Sequence, residues 1–165
     1  NVVGSRGSVI PFFLSIRDKG ELPITDARMT RFMITLEQGV ELVWHAFDDM
    51  VGGEIYVKKI PSMKVSDLAT AVAPEATQKV VGIRPGEKLH EQMIGPEDSY
   101  HTYEYAEHFK ILPAIHNWDT SSERIKNGVK VVEGFEYASD SNTEWMSIDT
   151  LRDWIQANEA KIGAI

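Results

Sequence analysis

Residues 1–16 read Asn1-Val2-Val3-Gly4-Ser5-Arg6-Gly7-Ser8-Val9-Ile10-Pro11-Phe12-Phe13-Leu14-Ser15-Ile16, which is the tail of a strand, a glycine-bearing turn and the start of an apolar helix. Ser8 is a favourable N-cap, Val9, Ile10, Phe12, Phe13 and Ile16 follow at near-helical spacing, and Gly20 offers the left-handed residue that closes a helix. Pro11 falls in the first turn, where its missing N–H costs little. The strand has no beginning and the first residue is Asn rather than Met, so a truncated chain is expected.

Working outward from this unit, Leu22 to Thr25 reads as a short extended segment. Thr35 and Gln38 have the spacing of a capping box, and Leu36, Val40, Val43, Trp44, Phe47, Met50 and Val51 recur at intervals of three and four until Gly52-Gly53. This predicts a long helix with one buried stripe. Glu54 to Val57 reads as a strand, Val65 to Val72 as a short helix, Gln78 to Ile83 as a strand and Lys88 to Ile94 as a helical turn or two. Tyr100 to Leu112 suggests strands, Asp140 to Thr143 a loop, and Ser147 to Ala160 a final helix with Leu151, Trp154 and Ile155 on one side. Alternating helices and strands give an α/β or α+β class. A boundary is expected near Pro113, with residues 1–113 as the main portion and 114–165 as an extension.

The 165 residues carry 17 Lys and Arg against 25 Asp and Glu, a formal charge of −8, which argues against a nucleic-acid binder. Absence of Cys excludes a disulfide framework and a thiolate metal site, and agrees with a reducing, cytoplasmic setting. No run approaches the roughly 18 apolar residues that read as a membrane-spanning helix, so no membrane association is expected. The charge is unevenly placed: residues 1–35 hold Arg6, Arg17, Lys19, Arg28 and Arg31 against Asp18, Glu21 and Asp26, so an anionic ligand prefers the N-terminal part.

Gly4-Ser5-Arg6-Gly7-Ser8 opens a helix whose first N–H groups are unpaired and whose dipole is positive there, a combination that favours phosphate. The same glycines equally serve backbone geometry alone. Donors also concentrate in Pro23-Ile24-Thr25-Asp26 through Met29-Thr30-Arg31, and in Gly82-Ile83-Arg84-Pro85-Gly86-Glu87-Lys88. Arg31 and Arg84 each offer a planar fork that matches phosphate, although surface or ion-paired roles are also open to them. Several catalytic and cofactor signatures are absent. Ile10 stands where a dinucleotide fingerprint needs its third glycine. No Tyr is followed by Lys four residues on, no G-x-S-x-G is present, and Ile94 replaces the second His of a zinc helix begun by His90-Glu91. No metal site is expected.

Three motifs in order, residues 1–13, Thr25-Asp26 with Met29-Thr30-Arg31-Phe32, and Gly82-Ile83-Arg84-Pro85-Gly86-Glu87-Lys88-Leu89-His90-Glu91, resemble those of the inverting UDP-N-acetylglucosamine 4,6-dehydratases, members of the extended short-chain dehydrogenase/reductase group. Phe135-Glu136-Tyr137-Ala138-Ser139 with Asn142 and Trp145 also resembles the tail of this subgroup. The resemblance covers nearly the whole chain but only the C-terminal half of such an enzyme. It implies a Rossmann-type α/β fold with the cofactor domain missing, and an NADP-dependent lyase reaction on a UDP-sugar for pseudaminic acid or other bacterial surface glycans. It further implies NADP held mainly by the absent half, a homo-oligomeric parent and an inactive fragment. Carried over by motif, Asn1 contacts the sugar nucleotide and the Val2 backbone lies near the cofactor. Val9 touches the uridine, Thr25 and Met29 line the nucleotide pocket, and Arg31 and Arg84 take the diphosphate with Glu87 beside them. The alternatives are a non-catalytic nucleotide-sugar or anion-binding module, a scaffold whose arginines bridge to a partner, and a related epimerase or reductase.

Overall fold

A computed structural model of the chain describes residues 2–114 and 122–163. Two units are built from interleaved segments. The first comprises Asn1–Leu36, Ile60–Glu91 and Ser139–Ile165, the second Glu37–Lys59 and Gln92–Ala138, so residues 1–113 and 114–165 each contribute to both.

In the first unit, helix α1 (Val9–Ile16) and a short 3-10 turn lead to strand β1 (Glu21–Ile24), which pairs in parallel with β5 (Thr77–Val80). Gly20, at φ 72°, closes the turn by donating its N–H to Arg17 O. Strand β2 (Thr30–Phe32) pairs antiparallel with β4 (Ser62–Lys64), and Val2 bridges Ile34 in parallel. Helix α3 (Val65–Val72) matches the span expected from the sequence, and α5 (Ile148–Asn158) starts at Ser147, whose Oγ accepts the Thr150 N–H at 3.0 Å. Ile10 and Phe13 of α1, Leu22 and Ile24 of β1, Leu68 and Val72 of α3, and Leu151 and Ile155 of α5 form the core. Gly4 has φ +74°, and a Cβ there would lie 2.9 Å from the Trp154 ring, so conformation and contact both require glycine.

In the second unit, β3 (Ile55–Lys58), β8 (His108–Ile111), β7 (Thr102–Glu104) and β9 (Val129–Lys130) form an antiparallel sheet in that order, and β6 (Gln92–Ile94) pairs with β10 (Tyr137–Ala138). Its apolar centre includes Phe109, whose ring lies 5.2 Å from Phe135 and 5.1 Å from Tyr137. A short helix, α4 (Ser122–Ile125), supplies Arg124. Buried Arg124 binds Gly52 O at 2.7 Å and Glu54 Oε1 at 2.5 Å, and buried Lys110 pairs with Asp49 and binds Arg124 O at 2.9 Å.

Two expectations are overturned here. Helix α2 (Leu36–Asp49) forms as expected, but its apolar stripe is not buried: no α2 residue is, and Trp44 and Phe47 are each 66% exposed. The helix is seated by its polar side instead. His45 meets the rings of His108 and Tyr56, and Asp49 accepts from Tyr56 Oη at 2.7 Å and from Lys126. Helical periodicity records a face that avoids water without saying what covers it. The second correction is at Lys88 to Ile94, which is irregular chain that bends at Leu89 and His90 and ends in β6 rather than forming a helical turn. The carbonyls of Lys88 and Leu89 accept bonds from Arg31, and Leu89 O also accepts the Thr30 N–H, so long-range partners outcompete local helical ones.

Candidate functional site

The site grows from the turn that opens α1. Ser8 has the extended backbone of an N-cap, with φ −79° and ψ 171°, yet its side chain makes no capping bond; its Oγ is buried without a partner. The helix start is therefore left open, with its unpaired N–H groups and positive dipole end, as the anion reading of this turn requires.

A cavity of about 180 Å³ lies beside it, walled by Val2, Val3, Ser8, Val9, Ile10, Thr25, Met29, Arg31, Met33, Val65, Leu68 and Glu87. A more open one of about 470 Å³ adjoins it, walled by Gly7, Ser8, Val9, Phe12, Phe13, Pro23, Thr25, Val65, Val81, Arg84 and Glu87. Ser8, Val9, Thr25, Val65 and Glu87 belong to both. Every described residue named from the motifs (Val2, Val9, Thr25, Met29, Arg31, Arg84 and Glu87) thus lines one or both cavities. Asn1 lies outside the described residues. Arg31 and Arg84 face different cavities that share walls.

Local geometry explains how the Arg84 segment is presented. Arg84-Pro85-Gly86-Glu87 is a turn in which Glu87 N–H reaches Arg84 O at 3.0 Å, with Gly86 at φ +81°. Pro at the second position and Gly at a positive-φ third position suit a type II turn. Glu87 clamps it, taking the Arg84 N–H on Oε2 at 3.2 Å while Oε1 faces Thr25 Oγ1 at 3.5 Å. The Arg84 side chain stays exposed at the rim. Arg31, by contrast, is 14% exposed and bound to its own chain. Its Nη1 donates to Thr30 O at 2.7 Å and Leu89 O at 3.1 Å, its Nη2 to Lys88 O at 2.9 Å, and its Nε lies 3.4 Å from Glu91 Oε1. Nearby, Arg28 is held by Asp26 through bonds of 3.0 and 2.9 Å, and those bonds draw the Asp26 carboxyl down to about 2.

The apolar walls from α3, Val65 and Leu68, and Met33 beside β2, were not legible as site residues. They are ordinary core types, and the only signal available was the helical spacing of 65–72. Among the described residues, no group of three or more His, Asp or Glu is placed to hold a metal ion, and no helix is long and apolar enough to cross a membrane.

The model of the polysaccharide biosynthesis protein family matches residues 1–113. The chain belongs to that family. As a polysaccharide biosynthesis protein it is 51% identical, over 96% of its length, to UDP-N-acetylglucosamine 4,6-dehydratase (inverting) of Campylobacter jejuni, of which it covers 50%. It is 31% identical over 93% of its length to UDP-glucose 4-epimerase of Rickettsia canadensis, covering 46%. A solved structure, Pen from Bacillus thuringiensis, matches 96% of the chain with a TM-score of 0.78 and 30% identity, and 47% of that structure is covered. The family member described here therefore spans about half the length of the curated relatives it matches.

Proposed function

We propose that this chain is the substrate-binding half of an inverting UDP-N-acetylglucosamine 4,6-dehydratase, an NADP-dependent lyase of bacterial surface-glycan synthesis. The observation that carries the reading is convergence: residues from three motifs separated in sequence line two adjoining cavities at an uncapped helix start. The 51% identity to the Campylobacter dehydratase supports it.

In this reading the first cavity, walled by Val9, Met29, Val65 and Leu68, takes the uridine. The diphosphate lies toward the α1 N-terminus and Arg84, and Glu87 and Thr25 fix the turn that carries Arg84. Grip on a nucleotide handle remote from the reacting carbons positions the hexose, and such binding energy lowers the barrier only when it orients the reacting groups. NADP would supply the hydride carrier in the full-length enzyme. The glycine fingerprint and the Tyr-x-x-x-Lys pair are absent from this sequence, so cofactor grip and proton transfer fall to the remainder of the longer protein, with the Val2 backbone as this chain's contribution near the cofactor. Asn1 stays a proposed sugar-nucleotide contact, and a cytoplasmic homo-oligomer remains the proposed state of the parent.

The test is Arg84→Ala in the full-length enzyme. Affinity for UDP and for UDP-sugar falls by a similar factor, about tenfold for one lost charge-assisted bond. Unchanged UDP affinity overturns the assignment. The 31% identity to a UDP-glucose 4-epimerase favours a second reading, a UDP-sugar epimerase with the same grip; product analysis by NMR separates a dehydrated 4-keto sugar from an epimer.

A further inference from the structure

The segment from Arg84 to Glu91 is fastened to β2 by a hydrogen-bonded chain that the nucleotide-binding assignments do not use. Thr30 Oγ1 lies 2.8 Å from His90 Nδ1 and 2.7 Å from Ser139 Oγ. Ser139 Oγ accepts the Glu91 N–H at 2.9 Å, and Ser139 N–H returns a bond to Glu91 O at 2.8 Å. Thr30 and Ser139 are buried. On the same strand, Arg31 grips the carbonyls of Lys88 and Leu89, so residues 88–91 are held from both sides of β2.

Counting protons gives this chain a direction. Ser139 Oγ already accepts from Glu91, and among the described residues its own proton has one partner in reach, Thr30 Oγ1. Thr30 then donates onward to His90 Nδ1, which must be unprotonated, and the ring proton sits on Nε2, facing Asp140 Oδ2 at 4.0 Å. The opposite direction, with a proton on Nδ1, leaves the buried Ser139 hydroxyl donating to nothing, an arrangement that buried polar groups avoid. Proton positions here follow from the network.

We infer that His90, as the neutral tautomer protonated on Nε2, is a positioning residue: through Thr30 and Ser139 it locks the segment bearing Arg84 and Glu87, and so sets the geometry of the diphosphate grip. This rests on the nucleotide-sugar reading above. His90 is not among the residues that wall either cavity. Its removal loosens the grip without altering turnover of substrate once bound.

The experiment uses the full-length enzyme with UDP and UDP-sugar as probes. In His90→Leu, the Kd for UDP and the KM for UDP-sugar rise about tenfold while kcat stays within about twofold. His90→Asn, whose amide oxygen stands near the position of Nδ1, restores both constants to within about threefold. Nitrogen-15 NMR of the wild-type enzyme places the His90 Nδ1 signal in the unprotonated range. Equal affinities in wild type and His90→Leu, equal impairment in Leu and Asn, or a protonated Nδ1 overturns the role. A wild-type enzyme without affinity for UDP overturns the functional reading as well, whereas normal UDP binding with an indifferent His90→Leu overturns this role alone. The Asn variant and the NMR signal decide the question even where the Leu variant fails to fold.

Discussion

Arg31 and Arg84 were equivalent on sequence grounds, each an arginine beside a turn, and the structure separates them. Arg31 donates three hydrogen bonds, to the carbonyls of Thr30, Leu89 and Lys88, and its Nε forms an ion pair with Glu91 at 3.4 Å, while Arg84 is held through its backbone and keeps its fork free at the rim. Lysine reproduces a point charge but not a planar array of donors. Arg31→Lys therefore lowers stability by about 2 kcal/mol, the scale of one or two buried bonds to a charged donor, while Arg84→Lys stays within about 0.5 kcal/mol of wild type. Thermal melts of the two variants check this.

Helix α2 shows what periodicity conveys and what it omits. The helix and its glycine terminator were legible in the 36–51 pattern, but the stripe was expected to be buried, and it faces outward. Lys88 to Ile94 failed differently: its spacing resembles a helix, and bonds from Arg31 and Ser139, residues far off in sequence, hold it as irregular chain leading into β6. Both rings of the Trp44 and Phe47 pair stand in water, so Trp44→Ser with Phe47→Ser lowers binding of an apolar dye while shifting the stability of this chain by no more than about 0.5 kcal/mol. Dye fluorescence and denaturant melts read the two effects, and a larger loss of stability contradicts the exposed placement.

At the scale of the whole molecule, the sequence displayed the alternation of helices and strands and several of the residues that line the two cavities. It did not display the interleaving of Ile60–Glu91 and Ser139–Ile165 with Asn1–Leu36, because no local signal encodes which distant segments share a core. The ionisable groups of the second unit were equally hidden. Burial, with the charges of His45 and Lys110, pushes the His108 imidazole down from 6.5 to about 4. Between those values the unfolded chain binds the proton and the folded one does not, so stability falls as pH drops from 6.5 toward 4 and the loss from this group is complete below that. Asp49 adds to the acid loss lower still: burial raises its carboxyl, but bonds from Lys110, Lys126 and Tyr56 outweigh it and hold it below the usual range. His108→Phe keeps a ring against Tyr105 and flattens the melting temperature between pH 6.5 and 4; a profile as steep as wild type's contradicts the assignment. The contact between Trp154 and Gly4 has an optical consequence. The indole stands against the turn that opens α1, so its emission wavelength, isolated by replacing the other three tryptophans, becomes a built-in gauge of whether that turn is seated or displaced.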